Sequence, residues 1–143
     1  MLSNSSLIRL FKSLKRNPFY FVHLPLIIYW CFLFVMTTIP VETIPRLFDT
    51  QDKLEHFFAY FILSILLMLS FSIQSRFLSI RRNAVLVSVI AIFLYASIDE
   101  IHQMLVPGRY CDVYDWLFDI VGGISGILII SYFSKKYDLV AKK

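Results

Sequence analysis

Apolar residues fall into four long runs separated by short polar stretches. The runs extend roughly from Phe19 to Ile39, Leu54 to Ile73, Ala84 to Leu105 and Trp116 to Phe133. A helix needs about 20 apolar residues to cross a hydrocarbon layer of about 30 Å. The pattern therefore predicts an all-α fold: a bundle of four transmembrane helices joined by polar connectors, with no internal repeat. Ahead of the first run, Leu7, Leu10, Phe11 and Leu14 follow helical spacing while Arg9, Lys12, Lys15 and Arg16 fill the other positions. That arrangement suits a short amphipathic helix lying on anionic lipid. Residues 1–18 are thus expected to form a cytoplasmic anchor segment, 19–133 the membrane domain and 134–143 a basic tail. The first run is too long for a secretory signal core, and Thr38-Ile39-Pro40-Val41-Glu42-Thr43 offers no small-residue cleavage pattern, so it is expected to be kept as a membrane anchor.

Composition agrees with this reading: 58% of the 143 residues are hydrophobic. The distribution of charge adds an orientation. Arg9, Lys12, Lys15 and Arg16 precede the first run, Arg76, Arg81 and Arg82 lie between the second and third, and Lys135, Lys136, Lys142 and Lys143 follow the fourth. An even number of crossings places all three groups on one side, which the positive-inside tendency makes cytoplasmic. The acids Glu42, Asp49, Asp52, Glu55, Asp99, Glu100, Asp112, Asp115 and Asp119 lie in or beside the other connectors, leaving Asp138 alone on the basic side. Both termini are then expected in the cytoplasm, with the acidic end outside. Basic residues so distributed serve topology and lipid attraction and disfavour nucleic acid as a partner. Cys31 and Cys111 suggest neither a disulfide framework nor CxxC metal spacing. Tyr110, Tyr114 and Trp116 at one end, with Tyr132 and Tyr137 at the other, suit two interfacial aromatic belts.

Ionisable groups at membrane depth are costly and by default point to function. Here they recur in register. On the second run Asp52, His56, Tyr60 and Ser64 descend one face, with Lys53 and Glu55 beside the entrance; on the third, Tyr95, Asp99 and Gln103 make another stripe, flanked by Glu100 and His102. Asp115 and Asp119 on the fourth are one turn apart and lead to Gly122 and Gly126, a small-xxx-small pattern that lets helices approach closely. Pro107 and Gly108 predict a tight turn that aims Arg109 over the acids or toward an anionic headgroup. Simpler roles stand beside these: Asp115 or Asp52 as a helix cap, a lone histidine as a structural hydrogen-bonding group, and Arg109 as a surface partner of Asp112.

Taken together, Asp52-Lys53-x-x-His56-Phe57-x-x-Tyr60, Asp99-Glu100-x-x-Gln103-x-x-x-Pro107-Gly108-Arg109 and Asp115-x-x-x-Asp119-x-x-Gly122-x-x-x-Gly126 resemble the motifs of the VanZ-like family of bacterial membrane proteins. The resemblance spans residues 19–133, and three motifs in one order are far more specific than any one. It carries family positions onto Asp52, Lys53, His56, Tyr60, Glu100, Gln103, Pro107, Arg109, Asp115, Asp119, Gly122 and Gly126. It departs at Asp119, where many relatives have Asn. The resemblance implies a bacterial inner-membrane protein; one member of the family is associated with low-level resistance to the glycopeptide teicoplanin, and the family otherwise implies no agreed biochemical activity or cofactor.

Three functions are compatible with these residues. One is an outer-face site that binds or modifies an amphiphilic or lipid-linked cell-envelope ligand, with His56 or Glu100 in acid–base roles. In it Lys53 and Arg109 hold an anionic group, Asp115 and Asp119 position a cation or hydroxyl, and Asp52, Tyr60, Asp99 and Gln103 complete the lining. The second is a buried hydrogen-bond network that specifies the bundle of a partner-binding protein. The third is a divalent cation site of carboxylate and imidazole ligands. Whether the protein is an enzyme, and its oligomeric state, stay open. Transport is disfavoured by apolar inner halves and the lack of an inverted repeat, and no P-loop, GxSxG or dinucleotide fingerprint is present.

Overall fold

A computed structural model describes residues 9, 13–40, 48 and 50–136 of the chain. Among them, four helices are long and apolar enough to span a membrane: α1 (Phe19–Thr38), α2 (Gln51–Ile73), α4 (Ala84–Gln103) and α5 (Val113–Lys136). A short helix, α3 (Leu78–Arg82), lies in the connector between α2 and α4. The architecture is the all-α, four-span bundle that the apolar runs predict. Most of the expected amphipathic segment, including Leu7, Leu10 and Phe11, lies outside the described residues, as do Glu42, Asp49, Tyr137, Asp138, Lys142 and Lys143.

Local chemistry sets the helix ends. α1 opens with a π-helical turn, Phe19–His23, in which the Leu24 N–H bonds the Phe19 carbonyl five residues back. Pro25 follows at once and has no N–H for the ordinary ladder. The helix stops at Ile39, which turns extended (φ −77°, ψ 127°) ahead of Pro40, whose ring disfavours helical geometry in the residue before it. α5 starts three residues earlier than its apolar run because Asp112 caps it, its Oδ1 accepting the Tyr114 N–H at 2.8 Å. α2 likewise begins before its apolar run, taking Asp52 and Lys53 into its first turn. Hydropathy marks where lipid-compatible side chains begin, whereas caps and turns mark where the helix begins.

α2 and α5 make the closest approach. A Cβ on Gly122 would overlap the Phe57 carbonyl oxygen, and one on Gly126 would stand 2.6 Å from the Phe61 carbonyl oxygen. α4 closes on the same seam, with Ile92 against Gly123. The apolar core runs through Tyr60, Leu63, Leu67 and Met68 of α2, Ile92 and Ala96 of α4, and Ile127 of α5. α1 leans on this trio mainly through Leu26 and Leu33 and leaves Ile27, Ile28, Phe34 and Val35 exposed, as suits a lipid-facing helix. Tyr110, Tyr114 and Tyr132 are exposed, whereas Trp116 turns into the bundle, donating from its indole to Ser97 Oγ at 3.2 Å and meeting the Phe93 ring edge-on.

Gly122→Ala should therefore lower unfolding stability in detergent by about 1–3 kcal/mol, the usual cost of forcing extra volume into a packed contact. An unchanged thermal midpoint would refute the close α2–α5 approach.

Candidate functional site

The bundle end formed by the starts of α2 and α5 and the finish of α4 gathers most of the described acids. The stripes on α2, α4 and α5 meet there. His56 Nδ1 lies 2.9 Å from Asp119 Oδ1, the Tyr60 hydroxyl donates to Asp99 Oδ2 at 3.3 Å, and Lys53 Nζ donates to Asp115 and, at 2.6 Å, to Asp112. Asp52 stands 3.8 Å from the same ammonium. Glu100 reaches the connector before α5, its Oε2 accepting the Asp112 N–H at 2.8 Å. Ser64, farther down the α2 stripe, bonds its own helix through the Phe61 carbonyl. Apart from the Ser64 bond and the Asp52–Lys53 pair, which lie within α2, these contacts tie one helix to another or to the connector, so the polar residues act as cross-links as well as a site.

Burial here is deep. Asp99, Glu100, Gln103, Asp115 and Asp119 are all 5% exposed or less. Lys53, by contrast, keeps 23% of its side chain accessible. Outside the spans, the Lys53 ammonium holds the Asp112 carboxyl below the usual carboxylate range, helped by the Tyr114 N–H. Asp112 thus has three tasks: it caps α5, pairs with Lys53 and presents its N–H to Glu100. Sequence reasoning treated it only as a surface partner for Arg109 and weighed as the cap Asp115, which stands immediately before the apolar run. Asp115, weighed above as a cap, is buried against Lys53 in the first turn of α5.

Arg109 is placed by the turn at Gly108, whose φ of 76° is the left-handed conformation that glycine adopts freely. Its guanidinium turns toward α1. Nε donates to the Ile39 carbonyl at 2.9 Å, Nη2 to the Met36 carbonyl at 3.3 Å and Nη1 to Gln103 Oε1 at 3.4 Å. A cation on the last carbonyls of a helix suits the negative end of the helix dipole, and here it shares the Met36 oxygen with the Ile39 N–H. Asp112 pairs with Lys53 in its place. Both cations expected to hold an anion are therefore engaged by protein oxygens. His102, expected beside the α4 stripe, stacks on Phe34 of α1 with ring centroids 5.0 Å apart.

Beside this network a cavity of about 310 Å³ opens between α1 and α2. Tyr29, Phe32, Leu33, Phe58 and Ile62 form its apolar wall, and Asp52, Glu55, His56, Asp99 and Arg109 its polar end. That volume lies at the lower end of the range for small-molecule sites, about 300–1,000 Å³. The wall supplied by α1 had no polar signal in the sequence and was not anticipated. Two groups of metal-ligating side chains also occur among the described residues, Asp52 with His56 and Asp115, and His56 with Glu100 and Asp119.

Lys53→Met leaves Asp115 buried without its cation. The expected loss is about 2 kcal/mol, less than the roughly 3–5 kcal/mol for breaking a fully buried pair because Lys53 is partly solvated. Adding Asp115→Asn should recover much of that loss in a thermal unfolding series. A double variant no more stable than Lys53→Met would contradict the pairing.

No curated protein and no solved structure matches the chain. The family model described as VanZ/LLP1 matches residues 8–134, which takes in the first three spans, the fourth up to residue 134 and every side chain of the polar cluster, and the chain belongs to that family.

Proposed function

We propose that this VanZ-like protein binds an amphiphile of the cell envelope at the polar end, entered from the membrane between α1 and α2 on the outer side. The observation that carries this reading is the cavity, apolar along Phe32, Leu33, Phe58 and Ile62 and charged where it meets Asp52, Glu55 and Asp99. A hydrocarbon chain fits the first part and a polar head the second. The sign of the head follows from the charges. Asp52, Glu55 and Asp99 line the cavity, Lys53 is bound to Asp112 and Asp115, and Arg109 is spent on carbonyl oxygens and Gln103. An ammonium head gains from those carboxylates and from the faces of Tyr29, Phe32 and Tyr60, whereas a phosphate head meets repulsion. The anion-holding role first expected of Lys53 and Arg109 gives way to a cation-accepting one.

His56 supplies chemistry beside the head. With Nδ1 held by Asp119, its imidazole is oriented as a general base commonly is, so it can accept a proton from a bound ammonium. Outer placement rests on the segregation of basic and acidic connectors. Teicoplanin susceptibility, associated with one member of the family, would be a cellular readout of the same site.

The test uses full-length protein in nanodiscs and three probes sharing one chain: dodecylamine, dodecanol and dodecyl phosphate. Dodecylamine should bind at least about 10-fold more tightly than the others, a difference of about 1.4 kcal/mol. Asp99→Asn and Asp52→Asn should erase that preference. Equal affinity for all three probes, or tighter binding of the phosphate, overturns the reading.

A further inference from the structure

The buried acids outnumber the cations that could balance them. Asp99, Glu100, Asp115 and Asp119 are shielded from solvent, and among the described residues the ammonium of Lys53 reaches only Asp52, Asp112 and Asp115. Glu100 and Asp119 are left with His56 as their neighbour. Moreover, Glu100 Oε1 and Asp119 Oδ2 are buried with no hydrogen-bond partner, although these residues are only 3% and 0% exposed. An oxygen so placed loses its water without gaining a donor, which membrane proteins avoid. Two unpartnered carboxylate oxygens beside one imidazole have a simple common explanation in a positive charge between them.

We propose that His56, Glu100 and Asp119 form a binding site for a divalent transition-metal ion. One ligand atom from each lies within 4.8 Å of the other two. Metal bonds of about 2.0–2.2 Å hold neighbouring ligand atoms roughly 3–4 Å apart, so closing the site needs side-chain adjustments of about an ångström. A mixed set of one imidazole and two carboxylates suits Mn²⁺ or Zn²⁺, while Ca²⁺ takes six to eight oxygens. The ion would join all three core helices, since His56 stands on α2, Glu100 on α4 and Asp119 on α5.

The alternative group of Asp52, His56 and Asp115 is less suited. Asp115 already receives the Lys53 ammonium, and Asp52 keeps 37% of its side chain accessible. Because His56 also lines the cavity, a metal on its ring would sit next to the head of a bound amphiphile. Asp52, Glu55 and Asp99 remain there to receive an amine. The metal site rests on the buried triad and not on what the cavity holds, so it stands or fails separately from the amphiphile.

The experiment is Mn²⁺ binding to full-length protein in detergent, stripped with chelator and then titrated under electron paramagnetic resonance. Wild type should take up about one ion per chain, with a ¹⁴N modulation from the His56 ring, and Mn²⁺ should raise its melting temperature. Glu100→Gln retains an acceptor for the Asp112 N–H, so it preserves that structural contact while weakening the site. It and Asp119→Asn should each lower Mn²⁺ affinity at least about 10-fold, or about 1.4 kcal/mol, and lose the thermal shift, while Asp115→Asn leaves affinity unchanged. The proposal is overturned by a wild type without saturable binding or ¹⁴N coupling. It is equally overturned by undiminished affinity in Glu100→Gln, or by loss in Asp115→Asn alone, which would move the ion to the other group.

Discussion

Gly122 brings α5 so near α2 that the Phe57 carbonyl oxygen occupies the space where any other residue would carry its Cβ. Everything polar in the bundle depends on that distance. One turn toward the polar end, Asp119 meets His56 Nδ1 at 2.9 Å, and a further turn along, Asp115 meets the Lys53 ammonium. Side chains as short as aspartate can bridge two helices only when their backbones are close. Glycine at the seam thus converts three separate stripes into one cluster. Lipid offers no hydrophobic force to drive helices together, so close backbone contact and interhelical hydrogen bonds have to hold the bundle.

The same closeness creates an electrostatic problem. Four buried carboxylates share a level of the membrane with few cations, and the protein distributes its positive charge unevenly. Lys53 neutralises the acids at the rim, and Arg109 joins the connector to the end of α1 through carbonyl oxygens. The interior acids Glu100 and Asp119 keep oxygens with no partner. A bundle stabilised for its own sake gains nothing from such oxygens, because a partly satisfied polar network costs more than an apolar core. Their place beside a cavity with an apolar wall is what the proposed cation site rests on.

α1 has a different relation to the rest. It contributes few core residues and much lipid-facing surface, yet Tyr29, Phe32 and Leu33 supply one wall of the cavity. It is held by Tyr29 donating to the Ala59 carbonyl, by the contact between His23 and Ser70, and by Arg109 at its far end. The cavity beside the polar cluster lies between α1 and α2.

The number of spans, their order and the residues of each polar stripe were legible in the sequence, because hydropathy and helical spacing are local properties. The motifs also identified the family, since they depend on residue type and separation alone. The partners were not legible. Periodicity puts His56 and Asp119 on faces of two helices but says nothing about which faces meet, and nothing in Val-Pro-Gly-Arg-Tyr reveals that Arg109 turns toward α1 and leaves Asp112 to Lys53. Nor does an apolar run show that Phe32 and Leu33 line a cavity while Ile27 and Ile28 are exposed. Those outcomes depend on the rotation and separation of the helices, which packing around the glycines of α5 settles only once all four spans are together.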